Sequence, residues 1–153
     1  MRTMRWLVVL LIVALACARV YAEVRVESAY RGEARWIKAQ LHCHTTESDG
    51  RLAPAQVLQW YKDLGFEAVA ITDHNRVTVA PKVPEGLVVI PGVEKSTNEG
   101  HMVLLGVSVV PETKEGQAVI EAATRLGGLV SLAHPAWTAG YSKEELDGLH
   151  GYS

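Results

Sequence analysis

The chain of 153 residues has few cysteines, no excess of either charge and no repeated or low-complexity segment. Its net charge of -2 gives no support for nucleic-acid binding driven by bulk positive charge, which leaves only a local basic patch for such a role. Hydrophobic residues make up 48% and charged residues 21% of the sequence. This composition is typical of one soluble globular domain and excludes a disordered or fibrous chain.

The one long apolar run is close to the N-terminus, and it is too short to indicate a membrane-spanning helix. Two arginines in MRTMR precede WLVVLLIVALACA, and small residues follow at Val20-Tyr21-Ala22. This pattern predicts a secretory signal peptide over residues 1–22, with an uncleaved N-terminal anchor as the alternative. We therefore expect an exported protein, periplasmic or extracellular, without a membrane attachment after cleavage. Cys43 is then the only remaining cysteine, so no intrachain disulfide can form.

Apolar runs of strand length alternate with helical patterns along the rest of the chain. Strands are predicted over residues 36–41, 68–72, 87–90, 102–107 and 129–133, and helices over residues 54–64 and 114–126. Ser142 and Glu145 form a capping box for a last, short helix. The alternation predicts a mainly parallel α/β sheet or barrel. In barrels of this type, catalytic groups come from the C-terminal ends of several strands.

Residues that can bind metal ions lie next to the ends of these predicted strands. They are His42, His44, Asp49, His74, Glu94, His101 and His134. His42 and His44 are two positions apart, so on a strand both side chains point to the same face, and Cys43 points to the other as a small buried side chain. One such histidine would more often be structural, but five of them with Asp49 and Glu94 indicate a metal site. Imidazole and carboxylate without thiolate suit zinc, manganese or iron.

Four motifs along the chain resemble those of the PHP (polymerase and histidinol phosphatase) metallohydrolases. In chain order they are His42-Cys43-His44 with Ser48-Asp49-Gly50, Ile71-Thr72-Asp73-His74-Asn75, Pro91-Gly92-Val93-Glu94 followed by His101, and Ala133-His134-Pro135. The His-x-His element alone is shared with amidohydrolase barrels, whereas the Ser-Asp-Gly and Thr-Asp-His-Asn elements separate the two families. The signal sequence together with Trp36-Ile37-Lys38 also resembles an exported, carbaryl-hydrolase-like branch of this family.

The resemblance implies a distorted (β/α)7 TIM-like barrel that holds two or three divalent metal ions. His42, His44 and a bridging Glu94 would bind the first ion, Glu94, His101 and His134 the second, and Asp49 and His74 the third. Bridged ions stabilise a hydroxide at neutral pH and polarise phosphoryl oxygens. Glu94 and Asp73 are the predicted catalytic residues, with Asp73 either orienting a neighbouring group or capping a turn. Asn75 and Lys95 border the predicted site as substrate contacts.

The family also closes its site with an Asp-x-His element late in the chain, and the sequence up to Ser153 does not contain that element. Asp147 and His150 have a different spacing and are interpreted as helix-end residues. A (β/α) barrel typically needs about 250 residues. Residues 23–153 are therefore expected to form the N-terminal portion of the domain, truncated at its C-terminus and inactive by itself. A half-barrel that dimerises is the alternative.

These features predict a metal-dependent phosphoesterase that hydrolyses a phosphomonoester, or the phosphate ester of a nucleotide or oligonucleotide end. Hydrolysis of a carboxylic or carbamic ester at the same metal site is one alternative, and a non-catalytic metal-binding fragment is another. The expected partner is a small-molecule phosphate ester or nucleotide, without a stable nucleic-acid complex.

Overall fold

The computed structural model of the chain describes residues 34–137 and 140–153. The predicted signal peptide over residues 1–22 therefore lies outside the described residues. The helices and strands of the described part all belong to the unit Trp36–Ser153. None of its helices is long and apolar enough to cross a membrane.

Five strands form one curled sheet in the order β1-β2-β3-β4-β5, and three helices connect or follow them. The strands are β1 (Ala39–Cys43), β2 (Ala68–Ile71), β3 (Val88–Ser96), β4 (His101–Leu105) and β5 (Leu129–Leu132). The helices are α1 (Pro54–Asp63), α2 (Gly116–Arg125) and α3 (Lys143–Gly148). The α/β class is confirmed, and the sheet corresponds to a half-barrel. The full (β/α)7 arrangement stays a prediction.

The sheet is mixed, so the prediction of a mainly parallel sheet is wrong. β1, β2 and β3 run parallel, whereas β4 runs antiparallel to both β3 and β5. The reason is the short connection between β3 and β4, where residues 97–100 close a tight hairpin that places Ser96 opposite His101. Such a connection is too short for the crossover of a dozen or more residues that a parallel pair requires.

α1 begins where the sequence predicts and ends one residue earlier, at Asp63. Pro54 is its first residue, a position where proline is favoured because its missing N–H needs no partner. Gly65 follows the helix with φ 79°, a conformation that glycine adopts without steric cost. The buried face of α1 forms a first core with β1 and β2, whose members are Cys43, Val57, Leu58, Val69, Ile71 and Leu87.

A second core lies between α2 and the strands β3 to β5. It includes Val93, Met102, Leu104, Val119, Ile120, Ala123 and Val130, each at most 2% exposed. Val89 packs against the first core and Val93 belongs to the second. Because these residues are four positions apart on β3, both cores lie on the same face of the sheet, here called the helix face. The opposite face, which carries Glu94 and His101, is called the polar face.

α3 confirms the predicted capping box. Ser142 Oγ accepts a hydrogen bond from the amide of Glu145 at 3.2 Å, and the amide of Ser142 donates to Glu145 Oε2 at 2.7 Å. These two backbone N–H groups have no partner within the helix, and each is thereby paired with the other residue's side chain. Asp147 pairs with Lys143 one turn earlier, in agreement with its interpretation as a helix-end residue.

Candidate metal centre

Glu94 lies at the centre of a group of imidazoles on the polar face. Its side chain is 1% exposed, and its two carboxylate oxygens face different histidines. Oε2 is 3.0 Å from His42 Nε2, 2.7 Å from His44 Nε2 and 3.6 Å from His74 Nδ1, whereas Oε1 is 2.9 Å from His101 Nδ1 and 3.0 Å from His134 Nε2. The carboxylate therefore presents one oxygen to each of two sets of imidazoles.

The direction of each strand explains how these residues meet. β1 and β2 are parallel, so their C-terminal ends bring His42 and His74 to the same edge of the sheet. His74 continues the parallel pairing through a bridge to Glu94. Because β4 runs in the opposite direction, its first residue, His101, reaches that edge. β5 is again reversed, so His134 arrives just after its last residue.

His134 and Asn75 have positive φ values of 33° and 52°, unlike the other non-glycine residues that the structure describes. Such backbone conformations cost of order 1–3 kcal/mol and persist where the surroundings hold them. His134 is held by Glu94 and by the ring of Trp137, whose centroid is 4.9 Å from the imidazole in an edge-to-face arrangement. The amide of Asn75 donates to the carbonyl oxygen of Glu94 at 2.9 Å.

Asp49 lies on the solvent side of the same cluster, with 66% of its side chain exposed. Its Oδ1 is 2.5 Å from His44 Nδ1, and its Oδ2 is 3.5 Å from His74 Nε2. The hydrogen bond with His44 is the main cause that holds the pKa of Asp49 below its ordinary value. His44 and His74 therefore lie between two carboxylates, Glu94 and Asp49.

Glu94 is an anion in these surroundings. Burial raises the pKa of Glu94, but hydrogen bonds from His42 and His134 and the charges of His42 and His74 outweigh it and hold the pKa well below its ordinary value. A buried carboxylate that stays ionised needs positive partners. A cation bound by the neutral imidazoles and this carboxylate would supply that positive charge.

Three overlapping groups in the described part of the chain could each hold a metal ion, with ligand atoms within 4.8 Å of one another. They are His42, His44 and Glu94; His44, Asp49 and His74; and His74, Glu94 and His101. Nitrogen and carboxylate donors without thiolate fit zinc, manganese or iron. These groups contain six of the seven predicted ligands, and the seventh, His134, lies 3.0 Å from Glu94 Oε1. The assignment of each ligand to one ion stays a prediction.

Asp73, a predicted catalytic residue, is fully buried and holds the loop that carries Asp49. Its Oδ1 accepts from the amide of Thr45 and from Ser48 Oγ, both at 2.7 Å. Its Oδ2 accepts from Thr45 Oγ1 at 2.7 Å and from Thr78 Oγ1 at 2.6 Å. Burial raises the pKa of Asp73, but these hydrogen bonds outweigh that effect and lower it. Its geometry therefore suits a positioning role.

The two predicted substrate contacts occupy different places. The side chain of Asn75 lies on the polar face, where its Nδ2 donates to Ser96 Oγ and its Oδ1 accepts from the amide of Ser96, both at 3.0 Å. Lys95 follows Glu94 on β3 and pairs with Met102 of the second core. Since neighbouring strand residues alternate between faces, Lys95 lies on the helix face, away from Glu94, and is only 5% exposed.

A cavity of about 710 Å³ opens beside His42 and His44. The other residues that line it are Cys43, Arg51, Leu52, Val57, Trp60 and Tyr61. Arg51 and Trp60 are not among the predicted site residues. The signal for Arg51 was available, because it directly follows the Ser48-Asp49-Gly50 element. Trp60 could not be found this way, because it reaches the site only through the packing of α1 on β1.

The PHP domain family matches residues 40–152. The chain belongs to this family. The PHP domain described here is 34% identical over 116 residues to an uncharacterised protein of Methanocaldococcus jannaschii, covering 65% of this chain and 68% of that protein. It is 36% identical over 80 residues to the 5'-3' exoribonuclease Rnm of Salmonella typhimurium, covering 45% of this chain and 27% of the enzyme.

A solved structure shares the fold. It is a two-domain protein of Bacteroides vulgatus that contains a predicted PHP-like metal-dependent phosphoesterase. The superposition has a TM-score of 0.57 at 20% sequence identity, and it covers 79% of this chain and 46% of the other. The PHP domain described here therefore spans less than half of the Bacteroides chain and about a quarter of the Salmonella enzyme. The His, Asp and Glu clusters of this PHP domain could hold divalent metal ions.

Proposed function

We propose that this PHP domain hydrolyses a phosphomonoester or the phosphate ester of a nucleotide or oligonucleotide end. The observation that carries the proposal is the buried carboxylate of Glu94, whose two oxygens face two separate sets of imidazoles. Such a group suits a pair of cations placed to act on one ester. The name of the Salmonella relative, a 5'-3' exoribonuclease, favours an ester of the nucleotide type.

The ligand sets follow the two oxygens of Glu94. His42 and His44 with Oε2 would hold one ion, His101 and His134 with Oε1 a second, and Asp49 with His74 a third. When bound, divalent ions supply the Lewis acidity that polarises a phosphoryl oxygen and activates water.

The protein's own contribution is to fix these donors before substrate arrives. Glu94 is shielded from water, so its charge acts at low dielectric on whatever lies between the imidazoles. Asp73 fixes the loop of Thr45 and Ser48, and through it the positions of His44 and Asp49. The side chain of Asn75 is hydrogen-bonded to Ser96. Asn75 could therefore contact substrate, as predicted, only if these hydrogen bonds open.

The proposal is tested by metal content and hydrolysis together. We expect the chain, purified without chelators, to retain two or three divalent ions, and the variant Glu94→Gln to lose at least one. Glu121→Gln is the control, since Glu121 is exposed and its ion pair is with Arg125 one turn away. A wild-type chain without bound metal would refute the proposal. Because residues 23–153 are expected to be inactive by themselves, turnover of an aryl phosphate is measured on the full-length protein with manganese or zinc added. Metal binding without turnover there would favour the non-catalytic alternative.

Hydrolysis of a carboxylic or carbamic ester remains the alternative reaction, because the same metal site would polarise a carbonyl oxygen. The placement in the exported carbaryl-hydrolase-like branch rests on Trp36-Ile37-Lys38 and on the N-terminal apolar run. Phenyl phosphate and phenyl carbamate, compared as substrates of the same preparation, separate the two reactions. A preference for the carbamate would replace the phosphoesterase proposal.

We also propose export with cleavage after Ala22. The support is the pair of arginines, the apolar run and the small residues that follow it. Mass spectrometry of the secreted or periplasmic product should then find Glu23 at the N-terminus. An intact Met1 in the mature pool would favour the anchor instead.

A further inference from the structure

The loop after β5 folds back on the predicted metal ligand His134. The residues His134-Pro135-Ala136-Trp137 form a turn in which the amide of Trp137 donates to the carbonyl oxygen of His134 at 3.0 Å. Proline is favoured at the second position of such a turn, because its ring fixes φ near the value that the turn requires. The turn therefore brings Trp137 next to His134, three positions earlier in the chain.

The side chains of the first and last residues of this turn are in contact. The ring centroids of Trp137 and His134 are 4.9 Å apart, and the two planes meet at 84°. In this edge-to-face geometry the positive edge of one ring meets the negative face of the other. Nε2 of the same imidazole lies 3.0 Å from Glu94 Oε1. One imidazole therefore contacts the indole and also faces the buried carboxylate.

His134 and His44 are oriented in different ways. His44 faces Glu94 through Nε2 at 2.7 Å and Asp49 through Nδ1 at 2.5 Å. A hydrogen bond at the second nitrogen is the usual means by which a protein orients a metal-binding histidine. Nδ1 of His134 makes no such bond with the residues that the structure describes. The ring of Trp137 takes that place.

The other ring contacts of His134 come from within the predicted ligand set. Its centroid is 6.3 Å from that of His42 and 5.3 Å from that of His101. These two imidazoles face the same carboxylate and would bind the same group of ions. Trp137 is thus the ring outside the ligand set that contacts His134 in the described part of the chain.

The backbone around Trp137 is fixed, although 63% of the residue is exposed. The amide of Gly140 donates to the carbonyl oxygen of Trp137 at 2.7 Å, and a Cβ atom at Gly140 would overlap the carbonyl oxygen of Pro135. The hydroxyl of Tyr141 donates to the carbonyl oxygen of His101 at 2.6 Å. These contacts fold the described residues of the loop against one another and tie them to the start of β4.

We propose that Trp137 is a positioning residue, which holds the imidazole of His134 in the orientation that binds a cation at Glu94 Oε1. The inference rests on the metal centre of the proposed function and adds a residue outside its ligands. Without the indole, the imidazole can rotate about its side-chain bonds, so the ligand is present but no longer directed at the cation. Loss of a group that orients a metal-binding histidine typically weakens metal binding by roughly 10–100-fold. The smaller value is expected here, because an edge-to-face contact is weaker than a hydrogen bond to a charged group.

Manganese binding tests the inference without turnover. The chain, freed of metal with a chelator, is titrated calorimetrically with manganese alone. We expect Trp137→Ala to weaken one binding step about tenfold, and this step should be the one that His134→Ala weakens or abolishes. Trp137→Phe retains a ring that can meet the imidazole edge-to-face, so its affinity should stay within about threefold of the wild type. Trp36→Ala is the matched control, because Trp36 is also an exposed tryptophan but precedes the start of β1, at the other end of that strand from His44.

A double-mutant cycle separates positioning from a general loss of structure. If Trp137 acts through His134, Trp137→Ala should have no further effect on manganese binding in the His134→Ala background. In the His42→Ala background it should still weaken binding about tenfold, because His42 faces the other oxygen of Glu94.

Three results would overturn the inference. One is a Trp137→Ala variant that binds manganese as the wild type does. Another is an equal loss with and without His134, which would mean that the indole acts on a different part of the centre. The third is a Trp137→Phe variant as weak as Trp137→Ala. Each of these leaves the proposed function standing, whereas a wild type that binds no manganese would refute the proposed function and the inference together.

Discussion

Replacing Asp73 by alanine should detach the loop that precedes α1 from the end of β2. The carboxylate is fully buried and accepts four hydrogen bonds, two from Thr45 and one each from Ser48 and Thr78. The methyl group of alanine would leave these donors without their acceptor. The loop also carries Asp49 and follows His44, so its release would loosen one side of the metal centre.

The expected loss of stability can be estimated from the four hydrogen-bond donors that would lose the Asp73 carboxylate. The amide of Thr45 is buried and cannot turn away, so its lost partner costs about 2 kcal/mol, a value typical of a bond to a charged acceptor. The three hydroxyls can rotate to other acceptors or to water, so each costs about 0.5–1 kcal/mol. We therefore expect Asp73→Ala to lower the free energy of unfolding by about 4 kcal/mol. Asp73→Asn, which retains one oxygen, should lose about half as much.

Urea unfolding followed by circular dichroism measures this loss, provided that the slope with denaturant is unchanged. Asp63→Ala is the matched control, because Asp63 is an exposed aspartate that accepts one hydrogen bond from Gln59. It should cost less than about 0.5 kcal/mol. A loss below about 1 kcal/mol for Asp73→Ala would refute the reasoning. It would mean that the four bonds are replaced by water at no cost.

Three further substitutions test other parts of the structure by the same unfolding assay. Gly50→Ala would place a methyl group 2.4 Å from the backbone of His44, so we expect a loss of about 1–3 kcal/mol and less bound metal; an unchanged metal content would contradict this. Leu58→Ala empties a fully buried position under α1 and should cost about 2–5 kcal/mol. Tyr141→Phe removes a 2.6 Å hydrogen bond to the carbonyl of His101 and should cost about 1 kcal/mol. An unchanged free energy of unfolding in Leu58→Ala or Tyr141→Phe would contradict the buried contacts described for that residue.

The metal cluster was predictable because each of its ligands lies in or next to a short sequence motif at the end of a predicted strand. The spacing of His42 and His44 fixes a common face, and Cys43 is buried on the other, as expected. Two further motifs each follow an apolar run of strand length with polar residues. They are Thr72-Asp73-His74-Asn75 and Pro91-Gly92-Val93-Glu94. The convergence of all these residues on Glu94 then follows from strands that end at one edge of the sheet.

Other features depend on packing that a motif does not encode. The reversal of β4 is encoded by a short hairpin, but its apolar run has the same pattern in either direction. Lys95 was predicted at the site because it adjoins Glu94, although strand alternation would already have placed it on the other face. The donors around Asp73 come from two separate segments, the loop of Thr45 and Ser48 and the loop of Thr78, and Trp60 reaches the cavity from α1. Neither the donors to Asp73 nor the position of Trp60 can be predicted from the residues next to them in the sequence.

The tight hairpin between β3 and β4 also sets an order of assembly for the centre. Glu94 and His101 are seven positions apart, whereas His134 and His42 lie 40 and 52 positions from Glu94. Chain-closure entropy grows as the logarithm of this separation, so bringing His42 to Glu94 costs about 1.8 kcal/mol more than bringing His101 there. Hairpins form within about 1–10 μs. During folding, Glu94 and His101 therefore meet first, and a cation captured by that pair would become the template on which the more distant histidines are gathered.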